Sequence, residues 1–146
     1  MLYECNEPKV PLSKELNYIE NYIDLERIRQ QNNFEIVFTQ NGEVTYQKIA
    51  PLLLITFIEN CFKHGIKNAL EKGFVRLNIE VNDDILSFEV INSKPASLPH
   101  QEHKRTGGIG LVNVKRRLNF LYANKYDLDI EDAPHTYTVR LKLDTK

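Results

Sequence analysis

Apolar residues recur with a helical period near the start of the chain. Leu16, Tyr18, Ile19, Tyr22, Ile23 and Leu25 cover about half of one helix, while Lys14, Glu15, Glu20 and Arg27 lie mostly on its other side. Ser13 is placed to cap this helix, which runs to about Gln30. Phe34, Ile36 and Phe38 then alternate with Glu35, Val37 and Thr39, the period of a strand. Asn41-Gly42 marks a turn and Val44 to Ile49 a return strand, so the two are expected to form a hairpin. Pro51 suits the first position of a second helix, which Gly65 helps to end, with helix resuming over Asn68 to Glu71. Phe74 to Val81 and Ile85 to Ile91 predict two strands around Asn82-Asp83-Asp84. A long loop from Asn92 to about Thr106, with Pro95 and Pro99, leads to a helix over Gly108 to Tyr122. Tyr126 to Ile130 and Tyr137 to Leu143 close the chain as a hairpin. Strands outnumber helices, and several are hairpin-linked. The expected class is therefore α+β: a two-layer sandwich of a mixed, mainly antiparallel sheet with helices on one face. Residues 1–12 read as a linker and 13–146 as one domain.

Bulk properties narrow the picture only slightly. No apolar run approaches the roughly 20 residues that a membrane-spanning helix needs, and Met1 to Val10 lacks the apolar stretch of a signal peptide. Cys61 falls on the apolar side of the second helix, which favours a buried free thiol and a reducing compartment. Net charge is −1, but from Lys94 to Arg117 six basic residues face Glu102 alone. That local excess fits an anionic ligand, and equally a solvated loop and helix face.

On a wheel of 100° per residue, Leu54, Ile55, Phe57, Ile58, Cys61, Phe62 and Ile66 form one apolar arc. Thr56, Glu59, Asn60, Lys63 and His64 form the opposite, polar arc. A carboxylate, an amide, an ammonium and an imidazole thus gather within two turns. Taken alone, this is also what a solvated face with a Glu59–Lys63 pair would show. The second segment with chemistry is Thr106-Gly107-Gly108-Ile109-Gly110-Leu111, directly before an amphipathic helix. Glycines there let backbone N–H groups approach an anion, and a helix N-terminus adds a favourable dipole. Asn113 lies on the first turn, followed by Lys115, Arg116 and Arg117. The segment matches neither a P-loop nor a dinucleotide fingerprint.

Together the segments resemble the GHKL ATP-binding fold (the Bergerat type), and specifically the LytS-type sensor histidine kinases. Glu59-Asn60-Cys61-Phe62-Lys63-His64-Gly65 is similar to that family's N box, and Gly108-Ile109-Gly110-Leu111-Val112-Asn113-Val114-Lys115-Arg116-Arg117-Leu118 to its second glycine box. Asn17 to Arg29, with Tyr22 and Arg29, resembles the helix that leads into the domain. The resemblance implies ATP with Mg²⁺ as the ligand. It implies that Asn60 coordinates the Mg²⁺, that Lys63 holds the phosphates with His64 close by, and that Glu59 matches the acid that polarises the attacking group. Gly108, Gly110, Leu111, Asn113 and Arg117 are implied at the phosphate end of a lid. The family's first glycine box is missing: where its adenine-binding Asp stands, this chain has Asn92-Ser93-Lys94-Pro95. The Asn92 side-chain oxygen can still accept from an adenine amino group.

The resemblance further implies a protein histidine kinase of two-component signalling, here as a catalytic domain only. The family's phospho-acceptor segment is not found in the chain. The expected partners are therefore the dimerisation and phospho-acceptor region of a homodimeric parent kinase and a response regulator, not nucleic acid. The expected location is the cytoplasmic side of a membrane-anchored bacterial kinase, with no inserted segment in this fragment. His100 and His103, two histidines in a loop, are read as solvated rather than metal-binding. Two alternatives remain: a free-standing regulator of the same fold that acts as an anti-sigma-factor-like serine kinase, and a degenerate interaction module that no longer binds ATP.

Overall fold

The computed structural model describes residues 9–30, 34–66, 73–94 and 109–146. Along the chain these form β1 (Val10–Pro11), α1 (Leu12–Gln30), β2 (Phe34–Asn41), β3 (Lys48–Ile49), α2 (Leu53–Ile66), β4 (Gly73–Asn82), β5 (Ile85–Ser93), α3 (Ile109–Leu121), β6 (Tyr126–Asp132) and β7 (Thr136–Asp144). Five strands make one sheet in the order β2-β4-β5-β7-β6, and β1 pairs with β3 separately. Only the β2–β4 pair of that sheet is parallel. The architecture is the expected α+β sandwich with a mixed, mainly antiparallel sheet.

Alternation explains which face is covered. Val75, Leu77, Ile79 and Val81 of β4, Leu86, Phe88 and Val90 of β5, and Val139, Leu141 and Leu143 of β7 are buried. Their neighbours Arg76, Asn78, Glu80, Arg140 and Lys142 face solvent on the open side of the sheet. The apolar arc of α2 packs onto the buried side, where Leu54, Phe57, Ile58 and Cys61 are fully buried and Phe57 meets Phe88 at 6.0 Å between ring centroids. Leu12, Leu16, Ile19 and Ile23 of α1 and Leu111, Val114, Leu118 and Tyr122 at α3 complete the core.

The β4–β5 and β6–β7 hairpins lie where the sequence pattern puts them. The hairpin expected from residues 34–49 does not form. β2 runs parallel to β4 as the sheet edge, with Ile36 opposite Val75 and Phe38 opposite Leu77, and only Lys48–Ile49 of the return segment is strand, paired with β1. Gly42 explains the departure. Its φ is 97°, and a Cβ there would lie 1.9 Å from the Val81 carbonyl oxygen, so the chain is pressed against the end of β4. The segment that follows is tied by one buried side chain instead of a ladder. Gln47 Nε2 donates to Asp83 O at 2.8 Å and Glu43 O at 3.4 Å, and its Oε1 accepts from Thr45 N at 2.8 Å.

Two helix starts differ from expectation, and that of α3 is described only from Ile109. Helix α1 begins at Leu12, whose N–H donates to Gln47 O at 2.8 Å, so Ser13 lies inside the first turn rather than capping it. Pro51 sits in a turn before α2, followed by Leu52 at φ 59°, and α2 opens at Leu53. The expected helical turn over Asn68 to Glu71, most of the loop from Asn92 to Thr106, Cys5, His100, His103 and Gly108 lie outside the described residues.

Candidate functional site

Helix α2 presents its polar arc at the margin of the sandwich: Glu59 and Lys63 are exposed, and Thr56 and Asn60 half-buried. The helix is held at its start by a residue that the periodicity assigned to the solvent side of α1. Glu15 is 4% exposed, and its Oε1 accepts from Leu52 N at 3.1 Å. Burial raises its pKa above the usual carboxylate value; the N–H groups of Leu52, Leu54 and Leu53 and the charge of Arg117 oppose that rise. A carboxylate from α1 therefore caps α2, satisfying donors that a helix N-terminus otherwise leaves orphaned.

Helix α3 lies antiparallel to α2. At one end Gly110 stands beside Thr56, where a Cβ would meet Thr56 Cγ2 at 3.8 Å. At the other, Arg117 Nη2 donates to Pro51 O at 2.7 Å. The N-terminus of α3, where helix N–H groups lack intrahelical partners, thus sits beside Thr56 in the first turn of α2. Leu111 is buried and Asn113 exposed. Arg117 is bonded to Pro51 O, and its charge lowers the Glu15 pKa. Lys94, counted in the basic stretch, is bonded to Asp132 and to Ala133 O, the latter at 2.9 Å.

At the far end of the sheet's covered side, Asn92 is fully buried near the end of β5. Its Nδ2 donates to the Ser93 carbonyl at 2.9 Å, which fixes the amide orientation. Its Oδ1 is buried and accepts no hydrogen bond among the described residues. Ser93 in turn accepts at Oγ from Phe74 N at 2.9 Å, tying the ends of β4 and β5 together. On α2, Asn60 has a buried Nδ2 that likewise closes no hydrogen bond. An acceptor and a donor kept dry without partners are costly unless something meets them. Asn92 Oδ1 and Asn60 Nδ2 are therefore candidate ligand contacts.

Two aromatic residues that the sequence reading did not assign to the site flank it. Tyr137, opposite Asn92 in the β5–β7 register, is buried beside Asn60 and Cys61. Its phenol is pushed up to about 12, chiefly by burial, and Asn60 offsets part of the rise. Tyr22 stacks edge-on against Phe62, with centroids 5.8 Å apart, and its phenol pKa is raised by burial, by Glu26 and by the charge of Glu59. Among the described residues no cluster of His, Cys, Asp and Glu side chains could hold a metal by itself. Gly108 and the side chain of His64 lie outside the described residues.

No family model matches the chain. Solved structures of histidine kinase catalytic domains share its fold. The catalytic domain of histidine kinase ThkA superposes with a TM-score of 0.63 at 14% identity, covering 94% of this chain and 95% of that one. The histidine kinase domain of a blue-light activated histidine kinase from Erythrobacter litoralis gives a TM-score of 0.65 at 17% identity, covering 92% of this chain and 61% of that one. The fold is thus that of a histidine kinase catalytic domain. In sequence, the chain is 27% identical over 139 residues to the sensor protein LytS of Staphylococcus epidermidis, and 25% identical over 129 residues to the sensor histidine kinase BtsS of Escherichia coli. Those matches cover 89% and 88% of this chain but only 24% and 22% of the two relatives. The chain is thus similar in sequence to LytS-type sensor histidine kinases and shares the fold of histidine kinase catalytic domains.

Proposed function

We propose that this chain binds ATP with Mg²⁺ and donates the γ-phosphoryl group to a histidine on the dimerisation segment of a parent kinase, which then passes it to a response regulator. The observation that carries the ligand is Asn92: a buried acceptor, held in orientation by the Ser93 carbonyl and left without a donor, suits the amino group of adenine. A divalent cation, when bound, neutralises charge on the phosphates. Asn60 is the residue that would hold it, and one protein ligand is enough for a cation that keeps phosphate and water in its shell. Lys63 and His64 serve the phosphates, with Gly108, Gly110, Leu111 and Asn113 at the N-terminus of α3.

In the transfer step the acceptor imidazole nitrogen forms a bond to the γ-phosphorus as the bond to the β–γ bridging oxygen breaks, and ADP leaves with that electron pair. Glu59, exposed one residue before Asn60, is positioned to accept the imidazole N–H proton. Arg117 we assign to bracing the start of α2 rather than to the nucleotide, since Pro51 O already takes its guanidinium. The chain alone is expected not to phosphorylate itself. The relatives named above are sensor kinases, which favours this reading over a free-standing serine-kinase regulator.

Equilibrium binding of Mg-ATP and Mg-GTP to the wild type and to Asn92→Leu tests the assignment. The wild type should prefer the adenine nucleotide at least tenfold, because the locked acceptor faces an amino group in one base and a carbonyl in the other. The variant should lose most of that preference. Equal binding of both nucleotides by the wild type would sink the Asn92 assignment.

A further inference from the structure

Strand β5 ends on a peptide unit that is held from both sides. Lys94 N donates at 2.8 Å to His135 O, in the turn between β6 and β7. The carbonyl of that same peptide, Ser93 O, accepts from Asn92 Nδ2 at 2.9 Å. In a planar trans peptide the N–H and the C=O point in opposite directions. Fixing the N–H at His135 therefore aims the carbonyl at the Asn92 amide. An amide whose donor arm is taken turns its acceptor arm away from that bond, and the acceptor here is the buried Oδ1 that meets no donor among the described residues. The Lys94 side chain makes a second tie to the same turn: its Nζ is bonded to Asp132 and, at 2.9 Å, to Ala133 O. The Lys94 side chain is only 18% exposed, so water and salt screen this pair less than a free surface pair. The turn is itself closed by Ala133 N, which donates to Thr136 O at 2.9 Å.

We propose that Lys94 and Asp132 are positioning residues for the base end of the site: by clamping the end of β5 to the β6–β7 turn, they hold the Ser93–Lys94 peptide, and through it the Asn92 amide, in the orientation that offers Oδ1 to an adenine amino group. The inference rests on the nucleotide-binding reading above and gives its base specificity two further residues, which act through Asn92. The segment Asn92-Ser93-Lys94-Pro95 has no glycine, and the bonds of the Lys94 side chain fix the backbone there. Ser93 pairs with Thr136 as the last step of the β5–β7 ladder. Without the Lys94 side chain, one backbone hydrogen bond holds the next peptide, at a strand end where ladders fray. Rotation of that peptide releases Nδ2, and the Asn92 amide then presents either arm.

The test is calorimetric titration of the whole chain with Mg-ADP and with Mg-inosine diphosphate, whose base carries a carbonyl in place of the adenine amino group. The proteins are the wild type, Lys94→Met, Asp132→Ala, Asn92→Leu and Lys94→Met combined with Asn92→Leu. The wild type should prefer the adenine nucleotide. Lys94→Met should cut that preference about fivefold, the effect of one hydrogen bond lost to the base, by weakening ADP without weakening inosine diphosphate. Asp132→Ala removes the other half of the pair and should give the same change. In the Asn92→Leu background Lys94→Met should alter the preference no further, since the group it orients is gone. An undiminished preference in Lys94→Met overturns the proposal, as does an equal loss for both nucleotides, which would make the clamp a structural tie only. Should Lys94→Met not fold, Asp132→Ala decides by the same comparison. If the wild type binds neither nucleotide, the nucleotide reading itself fails; if it binds both equally, the Asn92 assignment fails and the clamp has nothing to orient.

Discussion

Replacing Glu15 by alanine should loosen the join between α1 and α2. The carboxylate is 4% exposed and accepts from Leu52 N at 3.1 Å. Losing a helix cap costs about 0.5–2 kcal/mol, and leaving buried donors unsatisfied about 1–3 kcal/mol. The two descriptions overlap, so about 2–3 kcal/mol is expected for Glu15→Ala. In a domain of this size that lowers Tm by about 4–12 °C. Glu15→Gln keeps an acceptor oxygen and should lose much less. The pH dependence separates the two roles of the carboxylate. Burial holds its folded-state pKa above the ordinary value of 4.5, so the folded chain binds the proton more tightly than the unfolded chain. The linkage sign then makes the Glu15 contribution most favourable below 4.5 and weaker as pH rises through the raised folded value. Wild type should therefore gain on Glu15→Gln as pH falls from 7 toward 4.5. Urea unfolding of the three proteins across that range measures this. If Glu15→Ala costs under about 0.5 kcal/mol, as an ordinary surface change would, or if the gap between wild type and Glu15→Gln is flat with pH, the capping role is wrong.

Two further perturbations probe the same frame. Gly42→Ala should destabilise the domain by more than about 2 kcal/mol, because φ is 97° and the added carbon would overlap the Val81 carbonyl at 1.9 Å. Denaturant melts check this, and a near-neutral result would show that residues 41–43 are not pinned against β4. The Cys61 thiol is buried and pushed up to about 12 by burial. It should resist iodoacetamide at pH 8 in the folded chain and react in urea; peptide-resolved mass spectrometry that finds rapid native labelling at Cys61, as distinct from Cys5, would place the thiol at the surface.

Much of this fold was legible because each signal was local. The apolar arc of α2 needed only a wheel, and the hairpins of β4–β5 and β6–β7 needed only alternation around short turns. The partner of β2 was not legible. Strand period is the same for parallel and antiparallel pairing, and what decides here is the crossover through α2 and the contact of Gly42 with Val81, both non-local. Glu15 was misplaced for a related reason: a lone acid near the margin of an apolar stripe is assigned to solvent unless the N-terminus of another helix is known to lie beside it. In the candidate site, the N-box residues and Asn92 were proposed from spacing and resemblance. Tyr137 was not, because an inward aromatic in a closing strand looks like core, and it is core as well as a neighbour of Asn60.

The central claim is a Mg-nucleotide site between the polar face of α2 and Asn92. Thermal unfolding with and without Mg-ATP, for the wild type beside Asn60→Ala, tests it most directly. At about 100 times the dissociation constant, the nucleotide should add roughly 2.7 kcal/mol to the stability of the wild type and much less to that of the variant. No stabilisation of the wild type at millimolar Mg-ATP, or equal stabilisation of both proteins, would contradict the site.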